Sequence, residues 1–327
     1  MPTAAARSLT KTAVLTRLQA IDNDTAARGR VLLMETSIAS RLATLEATLA
    51  RREKFKEFGT SPLVLLAHAK IAGLTHVAQL EGNLLLAKQF SSIETSIGNM
   101  VEQVTLPVYG WQTVPSGMHS LYSAVDGERM EPGIARFITL KSGCSTLNDA
   151  SGQSIAGEII RHYNAWAADK RVQEVAFTFG TLYGTPNMSN KKDWHILNNV
   201  HTALSAKGAT VVASPHGSWT SEYRDESLKL VVDVKHGSEY WGYLGQALSA
   251  DAFIEFAAAF VRASVRASLD NTQQAILLRD LAEITDLTHV PAAYNVGLLQ
   301  RSQLAWLFMF VSYYCDRLDG FPTVPAS

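Results

Sequence analysis

Phe137-Ile138-Thr139-Leu140-Lys141-Ser142-Gly143-Cys144-Ser145-Thr146-Leu147-Asn148-Asp149 runs from an apolar, β-branched stretch directly into a turn rich in Gly, Ser and Asn. That composition predicts a buried strand that stops at a turn, with a single lysine, Lys141, at its exit. Fifteen residues upstream, Asp126 follows the apolar pair Ala124-Val125 and precedes Gly127. An acid on one strand, a hairpin and a lysine on the next strand would bring a carboxylate and an ammonium to one end of a sheet. Strand-end lysines usually just face solvent, so the neighbouring segments must carry the argument.

Before this centre the pattern is helical from about Thr12 to Gln89, rich in Ala, Leu and Arg, with Leu32, Leu33, Ile38, Leu42, Leu45 and Leu49 approximating one apolar face. The basic cluster Arg51-Arg52-Glu53-Lys54-Phe55-Lys56 closes it, either as a solvated terminus whose cations complement the helix dipole or as a contact for phosphates. Pro62 opens a new segment, and Ser91 with Glu94 has the spacing of a capping box for the next helix, on which Glu94 and Glu102 lie slightly over two turns apart. Pro107, Gly110, Pro115 and Gly117 then break the chain into turns.

Strands are expected at Leu121 to Val125 and Ala135 to Lys141, a helix at Ser151 to Ala168, and a strand at Val172 to Phe179. A helix at Trp194 to Ala206 and strands at Thr210 to Ala213 and Leu228 to Val234 follow. Asp251 to Ala267 and Gln273 to Ile284 read as helices, and Trp306 to Tyr314 as a buried helix or an interface. The expected fold class is α/β: a central mixed β-sheet flanked by helices, with helical extensions at both ends. The regions are 1-90 (helical), 91-250 (core) and 251-327 (helical), read together as one continuous domain.

The 327 residues are 47% hydrophobic and 18% charged, with a formal net charge of -1. That length can bury a substantial core. Near-zero charge argues against a protein that coats nucleic acid indiscriminately, which needs an excess of Lys and Arg, although positive charge concentrated in one cleft is compatible with it. The two cysteines, Cys144 and Cys315, are too few for a disulfide framework and lack metal-ligand spacing. Met1 to Leu15 has no continuous apolar core of a secretion signal, and the apolar run Leu304 to Val311 falls short of the roughly 20 residues that cross a bilayer. A soluble, cytoplasmic protein is expected.

The segment Lys141-Ser142-Gly143 with Asn148 resembles the lysine-Ser-Gly-Pro…Asn signature of type II restriction endonucleases of the PD-(D/E)XK superfamily. Ser91 to Glu102 looks like the helix that carries a glutamate into the site of those enzymes. Phe179-Gly180-Thr181-Leu182-Tyr183-Gly184 and Gly237-Ser238-Glu239-Tyr240-Trp241-Gly242-Tyr243-Leu244 resemble their later strand and their glycine-aromatic-tryptophan segment. The matches run in consistent order over roughly residues 60 to 260. Two positions depart from the pattern: Thr139 stands where Glu, Asp or Gln is usual, and Cys144 where proline is usual. A neutral threonine hydroxyl is a weaker ligand for a hard cation than a carboxylate, so Glu102 is the expected donor of the missing charge, with Glu94 and Glu128 next in line.

The resemblance implies Mg²⁺-dependent hydrolysis of double-stranded DNA by a site-specific endonuclease of a restriction-modification system. It implies a homodimer whose two-fold axis matches a palindromic site, and a cognate DNA methyltransferase as the partner activity. Asp126, Glu102 and the Leu140 carbonyl would hold the metal; Asp126, Lys141, Glu102 and Thr139 would form the catalytic set. Ser142, Asn148, Asn187, Lys191, Lys192, His216, Ser218 and Arg224 supply donors suited to base edges and phosphates, although plain surface loops would look the same. A rival centre exists. Leu230-Val231-Val232-Asp233-Val234-Lys235 also ends in Asp-x-Lys, with Asp225 and Glu222 upstream, but it lacks the Ser-Gly…Asn turn and the preceding glutamate helix. The competing function is a non-catalytic DNA-binding or assembly protein that retains a nuclease fold.

Overall fold

The computed structural model describes residues 11–50, 61–115, 120–143, 146–213, 219–225, 228–246, 248–267, 310 and 313–314. Its centre is a seven-stranded mixed sheet, so the chain is an α/β protein. The strands are β1 (Gln112–Thr113), β2 (Gly127–Glu131), β3 (Ile134–Gly143), β4 (Glu174–Tyr183), β5 (Thr210–Ala213), β6 (Thr220–Asp225) and β7 (Leu228–His236). They lie side by side in the order β1-β2-β3-β4-β7-β6-β5. β2 and β3 form an antiparallel hairpin, β3, β4 and β7 run parallel, and β6 and β5 return antiparallel at the other edge.

The parallel strands show why two helical layers exist. Along an extended chain, alternate side chains leave on opposite faces, and strands buried on both faces need apolar residues at both parities. Phe137, Phe177, Phe179, Val232 and Val234 face α6 (Asp149–Lys170) and α7 (Trp194–Ala206), where Ile159, Trp166 and Ile196 meet them. Ile138, Leu140 and Leu182 face the opposite way, into a core shared with α1 (Lys11–Asn23), α2 (Thr25–Ala50), α8 (Gly237–Gly245) and α9 (Ala252–Ala267). Between α2 and β1 come α3 (Pro62–Ile71) and α4 (Val77–Met100), which continues through the π-helical turn Val101–Thr105 into α5 (Leu106–Val108). Among the described residues no helix is long and apolar enough to cross a membrane.

Several expectations change. Leu121 to Val125 is a pair of turns rather than a strand, closed by Ser123 N–H to Ser120 O and Val125 N–H to Tyr122 O. Its apolar side chains pack beside Trp166, whose indole N–H binds the Leu121 carbonyl at 2.8 Å. The strand is instead the charged Gly127–Glu131, whose Arg129 and Glu131 pair with each other. Ser91 starts no helix: α4 begins at Val77, with the Gln79 side chain accepting from the backbone of Thr75 and His76, and it passes through Ser91 unbroken. Pro62 does open α3, with Ser61 as its N-cap. Leu32 and Leu33 are exposed, and the buried side of α2 is instead Val31, Met34, Glu35 and Ile38. β6 has no counterpart among the expected strands. The Arg51–Lys56 cluster, Cys144 and the expected helix Gln273 to Ile284 lie outside the described residues. Of the aromatic segment Trp306 to Tyr314, the described Phe310, Tyr313 and Tyr314 are buried in the core.

Candidate active site

The hairpin positions Asp126 by its backbone before its side chain acts. Its N–H binds Ile138 O at 2.8 Å and its carbonyl accepts from Val114 N–H at 3.1 Å, so the residue is clamped just before β2 begins. Beyond Ile138, β3 would show an unpaired edge there, and the Asp126 carboxylate takes that place. Oδ2 accepts from the Leu140 N–H at 2.6 Å and from the Thr139 hydroxyl at 2.8 Å. Thr139 therefore orients the acid. In an extended strand the N–H and C=O of one residue point to the same edge, which sets the Leu140 carbonyl on the side that Asp126 occupies.

Glu102 arrives from a different layer. Pro107 has no N–H to give the Gln103 carbonyl four residues earlier, and its ring crowds that carbonyl, so an α-helical turn cannot close there. The chain widens into the π turn Val101–Thr105, which carries Glu102. Such turns recur at functional sites. Gly127 leaves room for the approach: a Cβ there would lie 2.8 Å from the buried Leu106 side chain of α5, which would have to shift. Burial and then the nearby Asp126 push the Glu102 carboxyl above the usual carboxylate range, and Lys141 opposes them. Glu102, Asp126 and Lys141, from separate segments, thus lie within electrostatic reach near the end of β3, where Asp126 is bonded to the Leu140 N–H.

The donor set suits a hard cation. Two carboxylates beside a backbone carbonyl are oxygen ligands of the kind Mg²⁺ takes, and Mg²⁺ commonly keeps several waters. Among the described residues no group of three or more His, Cys, Asp or Glu forms a metal cluster, so water would have to fill the remaining positions. Neither alternative acid reaches the site: Glu94 is exposed on α4, and Glu128 is paired with Lys170 of α6 at 2.7 Å.

Around Lys141 a recess is lined by Thr146, Asn148, Ser151 and Ser154 at the start of α6. Asn148 is the N-cap of that helix, accepting from Ser151 N–H at 2.8 Å, and Ser142 is exposed on β3 nearby. Lys192 reaches the same end of α6, 2.7 Å from Asp149, which it holds below the ordinary carboxylate range. Asn187 and Lys191 are exposed on the loop before α7, with the Lys191 amine 5.4 Å from the Trp219 ring centre. Arg224 does not belong to this group. It pairs with Lys229 at the end of the sheet where β3 begins, and β3 is ten residues long, so Arg224 is separated from Lys141 by most of a strand. His216 and Ser218 lie outside the described residues.

The rival centre is not assembled. Lys235 aligns with Gly180 and Leu140, so its side chain leaves the sheet on the face opposite to Lys141, where it pairs with Glu239 at 3.1 Å. Asp225 is opposite Leu228, seven positions from Lys235 along β7 and so roughly 23 Å away. Glu222 binds Lys229 at 3.4 Å. Asp233 lies between Thr178 and Thr220 in the sheet.

Beside the candidate site, two features escaped the sequence reading. Tyr240 is fully buried with its hydroxyl 3.3 Å from the Thr139 carbonyl. His236 and Asp193 form a buried pair at 2.6 Å, with Ser189 also donating to Asp193. Burial works against the Asp193 charge, but the His236 and Ser189 hydrogen bonds hold its carboxyl below the usual range. The isolated Gly180 in an apolar strand was the available signal for Tyr240, since such glycines mark close approaches. The chain matches no protein-family model, and no curated protein matches it in sequence.

Proposed function

We propose that this chain is a Mg²⁺-dependent endonuclease that hydrolyses double-stranded DNA at specific sites, in the manner of type II restriction enzymes with a PD-(D/E)XK centre. The observation that carries the proposal is the Asp126 carboxylate fixed on Thr139 and Leu140 at the end of β3, next to Lys141, with Glu102 of the π turn within electrostatic reach of both charges. An antiparallel hairpin followed by a helix and a parallel strand supports a restriction-endonuclease-like core.

In this reading Glu102, Asp126 and the Leu140 carbonyl hold the cation, which when bound supplies charge neutralisation for the phosphorane-like transition state and its leaving oxygen. Lys141 positions the attacking water or, as the free amine, takes its proton. The Thr139 hydroxyl and Leu140 N–H occupy Oδ2 of Asp126 and leave Oδ1 to the cation. Asn148, Ser151 and Ser142 sit where a phosphate against Lys141 would find neutral donors, and Lys191 and Lys192 add positive charge along the backbone. Two copies related by a two-fold axis would cut both strands, and a methyltransferase of the same specificity would protect the host's sites. The competing reading, a DNA-binding or assembly protein without chemistry, draws on Thr139, which supplies no charge.

Incubation of the purified chain with plasmid DNA and Mg²⁺ tests the proposal. Discrete linear fragments that disappear when EDTA is added are expected; intact plasmid across many sequences, with DNA still bound, would replace the nuclease with the non-catalytic reading.

A further inference from the structure

The Thr139–Leu140 peptide is bonded at both ends to side chains. Its N–H donates to Asp126 Oδ2 at 2.6 Å, and its carbonyl accepts from the Tyr240 hydroxyl at 3.3 Å. In a planar trans peptide the two groups point in opposite directions, so the tyrosine hydroxyl and the carboxylate are joined through one peptide, with both donors oriented toward Asp126. Bonds in such a chain polarise one another: a donor at the carbonyl makes the N–H of the same peptide a better donor.

The sequence keeps this tyrosine in place at some expense to strand packing. A Cβ on Gly180 would fall 2.0 Å from the Tyr240 ring, so the ring occupies the space that a side chain on β4 would fill. Gly180 is paired with Leu140 in the sheet, which brings the ring directly beside the peptide. Tyr240 is fully buried, and burial first and Asp126 second push its ionisation well up, so the hydroxyl keeps its proton and remains a donor.

We propose that Tyr240 is a positioning residue for Asp126: through the Thr139–Leu140 peptide it strengthens the N–H that fixes Oδ2, and so sets the direction in which Oδ1 faces a cation. The role toward a cation rests on the nuclease reading; the connection to Asp126 does not.

Tyr240→Phe keeps the ring in the Gly180 slot and removes only the donor. Labelling threonine carbonyl carbons with ¹³C and leucine nitrogens with ¹⁵N restricts the NMR signal to Thr–Leu peptides, Thr139–Leu140 among them. In Tyr240→Phe the Leu140 amide proton should move upfield, and Mg²⁺ affinity measured by calorimetry should fall about three- to tenfold, the range expected for one hydrogen bond. Tyr243→Phe, which removes another buried hydroxyl of α8, should leave the Leu140 amide in place. Uniform 3-fluorotyrosine, a stronger donor, should move it downfield, and this form decides the matter should the phenylalanine variant not fold. An unmoved Leu140 amide, or an equal shift in Tyr243→Phe, would overturn the proposal. A wild-type chain that binds no Mg²⁺ would instead remove the nuclease reading, while the amide shift still decides the role of Tyr240.

Discussion

Glu102 holds its charge in unfavourable surroundings, and this has a measurable sign. Its carboxyl titrates above the ordinary value of 4.5 because burial and Asp126 disfavour the ionised form, with Lys141 opposing. A carboxyl raised in the folded state favours folding below that ordinary value, and the contribution is lost as pH rises through the raised one. At neutral pH the ionised Glu102 therefore destabilises the metal-free chain. Glu102→Gln should melt at a higher temperature than the wild type at pH 7, with the difference closing toward pH 4, and Mg²⁺ should stabilise the wild type more than the variant. An equal or lower melting temperature at pH 7 would mean that Glu102 is not strained by its neighbours. Thr139 shows the limit of reading by type. The sequence marks it as the place of a missing acid, but its hydroxyl serves Asp126 and its backbone carbonyl serves Tyr240, roles that no spacing encodes.

The strand β3 and the helix α6 were legible because their signals are local: an apolar run ending in Gly and Ser, then Asn148 as a cap. The segments that failed are those settled by tertiary contacts. Leu121 to Val125 has strand composition, yet the Trp166 indole N–H captures its carbonyl and its side chains fill the pocket beside the stacked Trp166 and Phe177 rings. The charged Gly127–Glu131 becomes the strand because Ile134 to Ile138 pairs with it and its ions pair with each other. The π turn illustrates a signal present but unread, since Pro107 inside a helical run disables the Gln103 carbonyl. Pro107→Ala, which restores an N–H for the Gln103 carbonyl and removes the ring that crowds it, should convert the wide turn to an α-helical one and rotate Glu102 away from Asp126. Mg²⁺ affinity should fall at least tenfold, a loss of about 1.4 kcal/mol, while the circular dichroism and melting temperature stay near wild type. Unchanged affinity would detach Glu102 from the cation site.

The helical layer behind the site is joined by buried ions that no helix period reveals. Glu255 of α9 receives both nitrogens of the Arg30 fork at 2.8 and 2.7 Å, the Tyr109 hydroxyl at 2.7 Å and the Ser249 hydroxyl at 2.7 Å. Tyr109 directly follows α5, so α2 and α9 together brace the helix that carries Glu102. Glu255→Ala would leave Arg30 in a largely buried place without its partner, and should lower the unfolding free energy in urea by about 3–5 kcal/mol; a change within 0.5 kcal/mol would show that the brace is dispensable. This assembly braces the helical layer next to the candidate site, whereas Asp233 and Lys235 of the second Asp-x-Lys leave the sheet on the face opposite to Lys141. The two places are separated most directly by one cleavage assay on Mg²⁺-loaded chain with plasmid DNA. Lys141→Ala and Asp126→Ala should each abolish cutting while DNA binding persists, and Lys235→Ala should cut like the wild type. Full cleavage by Lys141→Ala or Asp126→Ala would contradict the account.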